Sequence, residues 1–108
     1  ARWARARGCV LGIGGPVTYK NSKLPAVLRE AGVRADEVLL ETDAPWLPPV
    51  PYRGKRNEPA YLVHTRDGLA ATLATTPERL AEAADRNAER VFGPWPGLLD
   101  AGAGAAVE

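Results

Sequence analysis

The apolar positions of this chain fall into two short runs and a set of helical stripes, and their periods define its elements. Residues 9–13 (CVLGI) and the run opening at Val38 (VLL) are near-continuous apolar stretches of strand length, as in strands covered on both faces. Between them Leu24, Val27, Leu28 and Ala31 recur at three- and four-residue spacing, giving one apolar helical face. Ser22 is placed to cap that helix, Pro25 falls in its first turn, and Gly32 ends it. Strand, helix, strand reads as a βαβ unit, which implies parallel pairing through a right-handed crossover. The second strand extends over 38–42 and delivers Glu41, Thr42 and Asp43 to its C-terminal end.

Flanking elements complete the pattern. Residues 1–7 (ARWARAR) read as the tail of a helix, with arginines at the negative end of its dipole and Gly8 as the stop. Gly14-Gly15-Pro16 turns the chain at the end of the first strand, with Val17–Tyr19 extending that strand briefly. Glycines there permit close approach of a ligand or a neighbouring strand. Residues 60–74 form a helix with Leu62, Leu69 and Leu73 inward, a pattern that Gly68 weakens. Thr76-Pro77-Glu78 opens a final helix whose stripe is Leu80, Ala83, Ala84, Ala88 and Val91, and Gly93-Pro94 ends it. Asn87 reads as a helix residue bonding to a neighbouring loop. The organisation is therefore one unit over 1–93 and a Gly/Ala-rich tail, 94–108, expected to be loosely held.

Between the second strand and the helix at 60 lies a long loop. It holds Pro45, Pro48, Pro49, Pro51 and Pro59, half of the chain's ten prolines. Prolines lower the entropy lost in ordering a loop, and a loop this long is functional or disordered. Trp46 and Tyr52 give it something to pack with, which argues for order.

Composition narrows the class. The 108 residues allow one domain with a modest core, and 45% hydrophobic with 25% charged residues is ordinary for a globular protein. No apolar run approaches the ~18 residues that span a bilayer, and ARWARARGCV is a poor signal peptide. The chain lacks an initiator Met, which suggests a piece of a longer protein. The lone Cys9 forms no internal disulfide and joins no zinc motif; it is expected as a small buried residue of the first strand, in a reducing, cytoplasmic setting. A net charge of +1 demands no polyanionic partner, but Arg53, Lys55 and Arg56 crowd one loop.

Chemistry concentrates at the end of the second strand. Alternation puts Glu41 and Asp43 on one side of it. A carboxylate at Asp43 suits a divalent-metal ligand or a proton acceptor; the plainer reading is an Asp that caps the following turn or pairs with an Arg. Arg53, Lys55, Arg56, Asn57 and Glu58 form a second group, whose cations match phosphate oxygens, and Trp46 and Tyr52 are placed to stack on a base. The plainer reading there is a solvated loop. Lys20 and Asn21 follow the first strand and face the same end. His64, the only histidine, cannot build a metal site.

These residues carry a resemblance. LLETDAPWLPPVPYRGKRNEPAY resembles the C-terminal signature of the TatD family of metal-dependent hydrolases and deoxyribonucleases, and GIGGPVTYKN and DRNAERVFG are similar to its preceding strand and closing helix. The resemblance runs over roughly residues 8–93 with the blocks in order. It implies an α/β fold, the last two βα units of a TIM (β/α)8 barrel that needs about 250 residues in all. It also implies a divalent cation (Mg2+, Mn2+ or Zn2+) at the mouth of the barrel. The family's ligands are a paired His motif, a mid-barrel Glu, two later His residues and a final Asp, and only the last has a counterpart here, Asp43. Glu41 then supports the site, and Arg53, Lys55, Arg56, Asn57 and Glu58 bind substrate or shape the site. The implied parent is a deoxyribonuclease cleaving phosphodiester bonds with a metal-activated water. Its partners would be DNA, or another phosphodiester, and the missing N-terminal part of the barrel, with no membrane. A barrel hydrolase of another ester or amide, and a non-catalytic anion- or nucleic-acid-binding remnant, are the alternatives. The fragment alone, lacking the other ligands, is expected to be inactive.

Overall fold

The two apolar runs become a parallel pair. In the computed structural model, which describes residues 1–94, β1 (Leu11–Ile13) lies beside β2 (Val38–Leu40). Leu11 stands opposite Val38, Gly12 opposite Leu39 and Ile13 opposite Leu40. The ladder continues by one bond, Glu41 N–H to the Ile13 carbonyl at 3.0 Å, so both strands end at one edge. The expected tail lies outside the described residues, apart from Pro94.

Helices flank this pair. α1 (Arg2–Ala6) precedes β1, and α2 (Leu24–Glu30) connects the strands. Ser22 Oγ accepts from Leu24 N–H at 3.1 Å, and Gly32 leaves the helix at φ +64°. α3 (Leu62–Thr72) and α4 (Pro77–Phe92) follow the long loop, and Thr76 Oγ1 caps α4 by accepting from Arg79 N–H at 3.2 Å. Ile13, Val17, Leu28, Val38, Leu69 and Leu80 are buried together as the core. An apolar groove of about 300 Å³ beside β2, lined by Leu39, Leu40, Leu62, Val63, Ala84 and Ala88, stays open. Among the described residues no helix is long and apolar enough to cross a membrane.

Several expectations shift in detail. Cys9 is exposed and precedes the strand. Its N–H bonds back to the Ala4 carbonyl at 2.9 Å, and Gly8 sits at φ +67°, so residue 9 belongs to the stop of α1. Residues Gly15–Thr18 form a short 3-10 turn instead of extending β1, because Pro16 initiates the turn. Val27 is exposed, since the inward line of α2 runs through Leu24, Leu28 and Ala31. On α4 the inward place after Ala84 goes to Asn87, which donates to the Ala35 and Val38 carbonyls at 2.9 and 2.7 Å, and Val91 is left exposed. Gly68 has a packing reason: a Cβ there would lie 2.8 Å from the Thr18 methyl.

An ion pair joins α1 to the turn before β2. Arg5 donates to Glu37 and also to the Ala31 and Gly32 carbonyls at 3.2 Å each, while Glu37 accepts from Arg34 N–H at 3.0 Å. Chiefly through its hydrogen bond from Arg5, the Glu37 carboxyl is held down to about 2 from an ordinary 4.5. A depressed carboxylate contributes stability that is complete above its unfolded value and lost as pH falls through the folded one. The thermal unfolding midpoint is therefore expected to fall on acidification from about pH 4.5 towards about pH 2, and Glu37→Gln to flatten that stretch of the profile.

Candidate active site

Asp43 lies just past β2, at the start of the loop. Its carbonyl accepts from Trp46 N–H at 2.7 Å, closing a turn by the main chain alone. Its side chain is exposed and, among the described residues, takes no hydrogen bond or ion pair. It neither caps the turn nor pairs with an Arg. Glu41, on the same side of the strand, folds its carboxylate back over the first strand. A Cβ at Gly12 would lie 3.3 Å from Glu41 Oε2, and one at Gly14 3.2 Å from Oε1. The two glycines make room for that carboxylate.

Asn57 closes the neck of the loop. Its N–H donates to the Pro45 carbonyl at 2.9 Å, and its Nδ2 to the Trp46 carbonyl at 2.8 Å. Its Oδ1 accepts from Glu58 N–H at 2.9 Å, and the residue is only 3% exposed. Of the two roles expected for it, substrate contact or site shaping, this inward-facing side chain is placed for the second. By tying residues 45–46 to 57–58, it makes neighbours of Asp43 and Trp46 at the loop's entry and Arg56 and Glu58 at its exit.

The body of the loop is pinned to the turn after β1. Thr18 Oγ1 donates to the Gly15 carbonyl at 2.7 Å and accepts from Val50 N–H at 2.9 Å. Tyr19 O–H donates to the Pro48 carbonyl at 2.9 Å. A Cβ on Gly15 would run into the Leu47 carbonyl oxygen and lie 3.0 Å from Pro49 N. Of the Gly14-Gly15 pair, Gly15 admits the loop and Gly14 admits Glu41. Gly15, Thr18 and Tyr19 are supports that sequence reasoning missed; their only signal was a Gly-Gly-Pro turn placed ahead of a long loop.

The remaining candidates separate by what they touch. The Arg53 guanidinium stacks 4.2 Å from the Tyr19 ring centroid, an arrangement that holds the cation in place. Lys55, Arg56 and Glu58 are exposed, and the side chains of the two cations have no partner among the described residues. Tyr52 stacks on Tyr61 at 3.9 Å with planes 2° apart, so one of its faces is already covered. Desolvation, with Glu58 and Tyr52 adding, pushes the Tyr61 phenol up from its ordinary value. His64 tilts against Tyr52 at 5.3 Å, in this aromatic cluster and not with the carboxylates. Lys20 and Asn21 are exposed beside the turn.

As a metal site this is one corner. Among the described residues no three His, Cys, Asp or Glu side chains gather to hold an ion. The unpartnered Asp43 carboxylate at a strand end is a hard oxygen donor of the kind divalent cations take. It fits as a single ligand.

Comparison with known proteins gives this corner its context. The family model described as TatD related DNase matches residues 1–93. The chain belongs to the TatD-related DNase family. It is 43% identical over 93 residues to the uncharacterized metal-dependent hydrolase YabD of Bacillus subtilis (strain 168), covering 81% of this chain and 36% of that protein. It is 41% identical over 93 residues to the 3'-5' ssDNA/RNA exonuclease TatD of Citrobacter rodentium, covering 81% and 35%. Its fold matches the crystal structure of YJJV, a TatD homologue from Escherichia coli K12, with a TM-score of 0.71 at 29% identity, covering 82% of this chain and 34% of the other. The chain thus spans about a third of the length of these relatives. It is the C-terminal part of a TatD-type TIM barrel, as the resemblance of its signature implied.

Proposed function

We propose that the barrel containing this chain is a metal-dependent phosphodiesterase acting on single-stranded DNA. One observation carries the reading: the Asn57-closed loop that leaves β2 carries the Asp43 carboxylate and the cations Lys55 and Arg56, all exposed and without a side-chain partner among the described residues. Metal dependence accords with how the relatives are named, and a nucleic-acid substrate with the name of the Citrobacter rodentium protein. Asp43 would hold the cation, with Mg2+, Mn2+ and Zn2+ the candidates. When bound, that cation supplies Lewis-acid polarisation of a phosphoryl oxygen and a water of lowered pKa. Asp43 also stands ready to accept a proton at its free carboxylate oxygen. Lys55 and Arg56 neutralise the phosphate backbone, and Arg53 adds a cation whose direction Tyr19 sets. Glu41 holds the strand edge beneath Asp43.

The test is hydrolysis of an end-labelled single-stranded oligodeoxynucleotide by the complete barrel. Activity is expected to vanish with chelator and return with added Mg2+ or Mn2+. Replacing Arg53, Lys55 and Arg56 together by Ala is expected to raise KM and to flatten its log–log salt dependence by roughly 2, at about 0.7 per lost phosphate contact. Turnover that survives chelation, or an unchanged salt slope, contradicts the reading.

A further inference from the structure

We propose that Trp46 is the platform on which a nucleobase stacks, next to the phosphate held by the cationic loop. The inference rests on the phosphodiesterase reading and adds the part of the substrate that the chain grips besides its backbone. Trp46 is 72% exposed in this part of the barrel. Its stem is nevertheless fixed on both sides. The N–H bonds the Asp43 carbonyl at 2.7 Å, and the carbonyl accepts from Asn57 Nδ2 at 2.8 Å. The indole is therefore presented from a rigid backbone, which lowers the entropy lost when a ligand lands on it.

The other rings of this edge are already engaged. Tyr52 lies flat on Tyr61, and Tyr19 lies under Arg53. Trp46 makes no ring or cation contact among the described residues. The surroundings indicate what covers it. Asp43 precedes it by one turn, and the Asn57 clamp ties the backbone of Trp46 to the segment that carries Arg56. A flat apolar face, a cation and a carboxylate on one loop neck match a base, its phosphate and the scissile bond. Base–aromatic stacking is tolerant of sequence, because every base has a π-face, so the platform fits an enzyme that reads single strands without regard to sequence.

The experiment measures binding to the complete barrel in chelator, where no turnover occurs. It compares an oligodeoxythymidylate with an abasic oligomer of the same length and phosphate count. Trp46→Ala is expected to weaken oligodeoxythymidylate binding about 10-fold while leaving the abasic oligomer unchanged. Trp46→Phe keeps most of the affinity, and the wild-type tryptophan quenching caused by oligodeoxythymidylate shrinks in that variant. Equal weakening of both oligomers, or of neither, overturns the platform but not the phosphodiesterase. So does an indole shielded from acrylamide before DNA is added, together with a Trp46→Ala unfolding midpoint several degrees lower, because the ring then packs against the rest of the barrel. A wild-type protein that binds neither oligomer overturns the functional reading itself.

Discussion

Asp43→Ala is expected to lower kcat/KM for single-stranded DNA in the complete barrel by on the order of 10³-fold or more, the scale of losing a group that acts on the reacting atoms. In the metal-free protein the same substitution should leave folding nearly untouched, within about 0.5 kcal/mol, because the side chain is exposed and takes no partner among the described residues. That pairing of effects is diagnostic. A carboxylate kept for structure would show the reverse, a lower unfolding midpoint with activity preserved in the folded fraction. Asp43→Asn keeps the shape and removes the charge, so it should fall with Asp43→Ala. Steady-state kinetics and thermal unfolding on both variants check this.

The second large effect is at Asn57. Asn57→Ala removes the donor to the Trp46 carbonyl and the acceptor for Glu58 N–H, both at a site 3% exposed. Leaving such groups without partners costs roughly 2–4 kcal/mol in sum. The neck of the loop then opens, and the exit residues 56–58 separate from Trp46 and Asp43 at its entry. KM for single-stranded DNA is expected to rise about 10-fold or more, since one charged contact and one stacked base are each worth about that much. Gly15→Ala attacks the same loop from the opposite wall, where a Cβ would meet the Leu47 carbonyl, and should shift KM in the same direction. Wild-type KM in Asn57→Ala would show that the clamp does not set the position of the substrate groups.

These two residues also mark how far the sequence alone reaches. The strand pair and its crossover helix followed from periodicity, and with them the place of Asp43 just past the end of the second strand. Asn87 was legible too, as a polar residue at an inward helical position that bonds a loop. For Asn57 the sequence left substrate binding and site shaping both open, because a polar residue among cations looks the same whether it faces solvent or bonds main-chain carbonyls. Thr18 and Tyr19 were hidden for a related reason. Their contacts to Val50 and Pro48 cross between segments far apart in the chain, and no local period reports such pairs. Cys9 was assigned to the strand by apolarity, while the decisive fact was the helix stop around Gly8, which takes residue 9 for its own hydrogen bonding.

Among the described residues no three His, Cys, Asp or Glu side chains gather to hold an ion, so the most direct test asks about the ion itself. Calorimetric titration of the metal-free complete barrel with Mn2+ should show binding in the wild type, and in Asp43→Ala either at least about 10-fold weaker affinity or the loss of one bound ion. Equal affinity and equal stoichiometry in the two proteins would contradict the placement of Asp43 in the metal site.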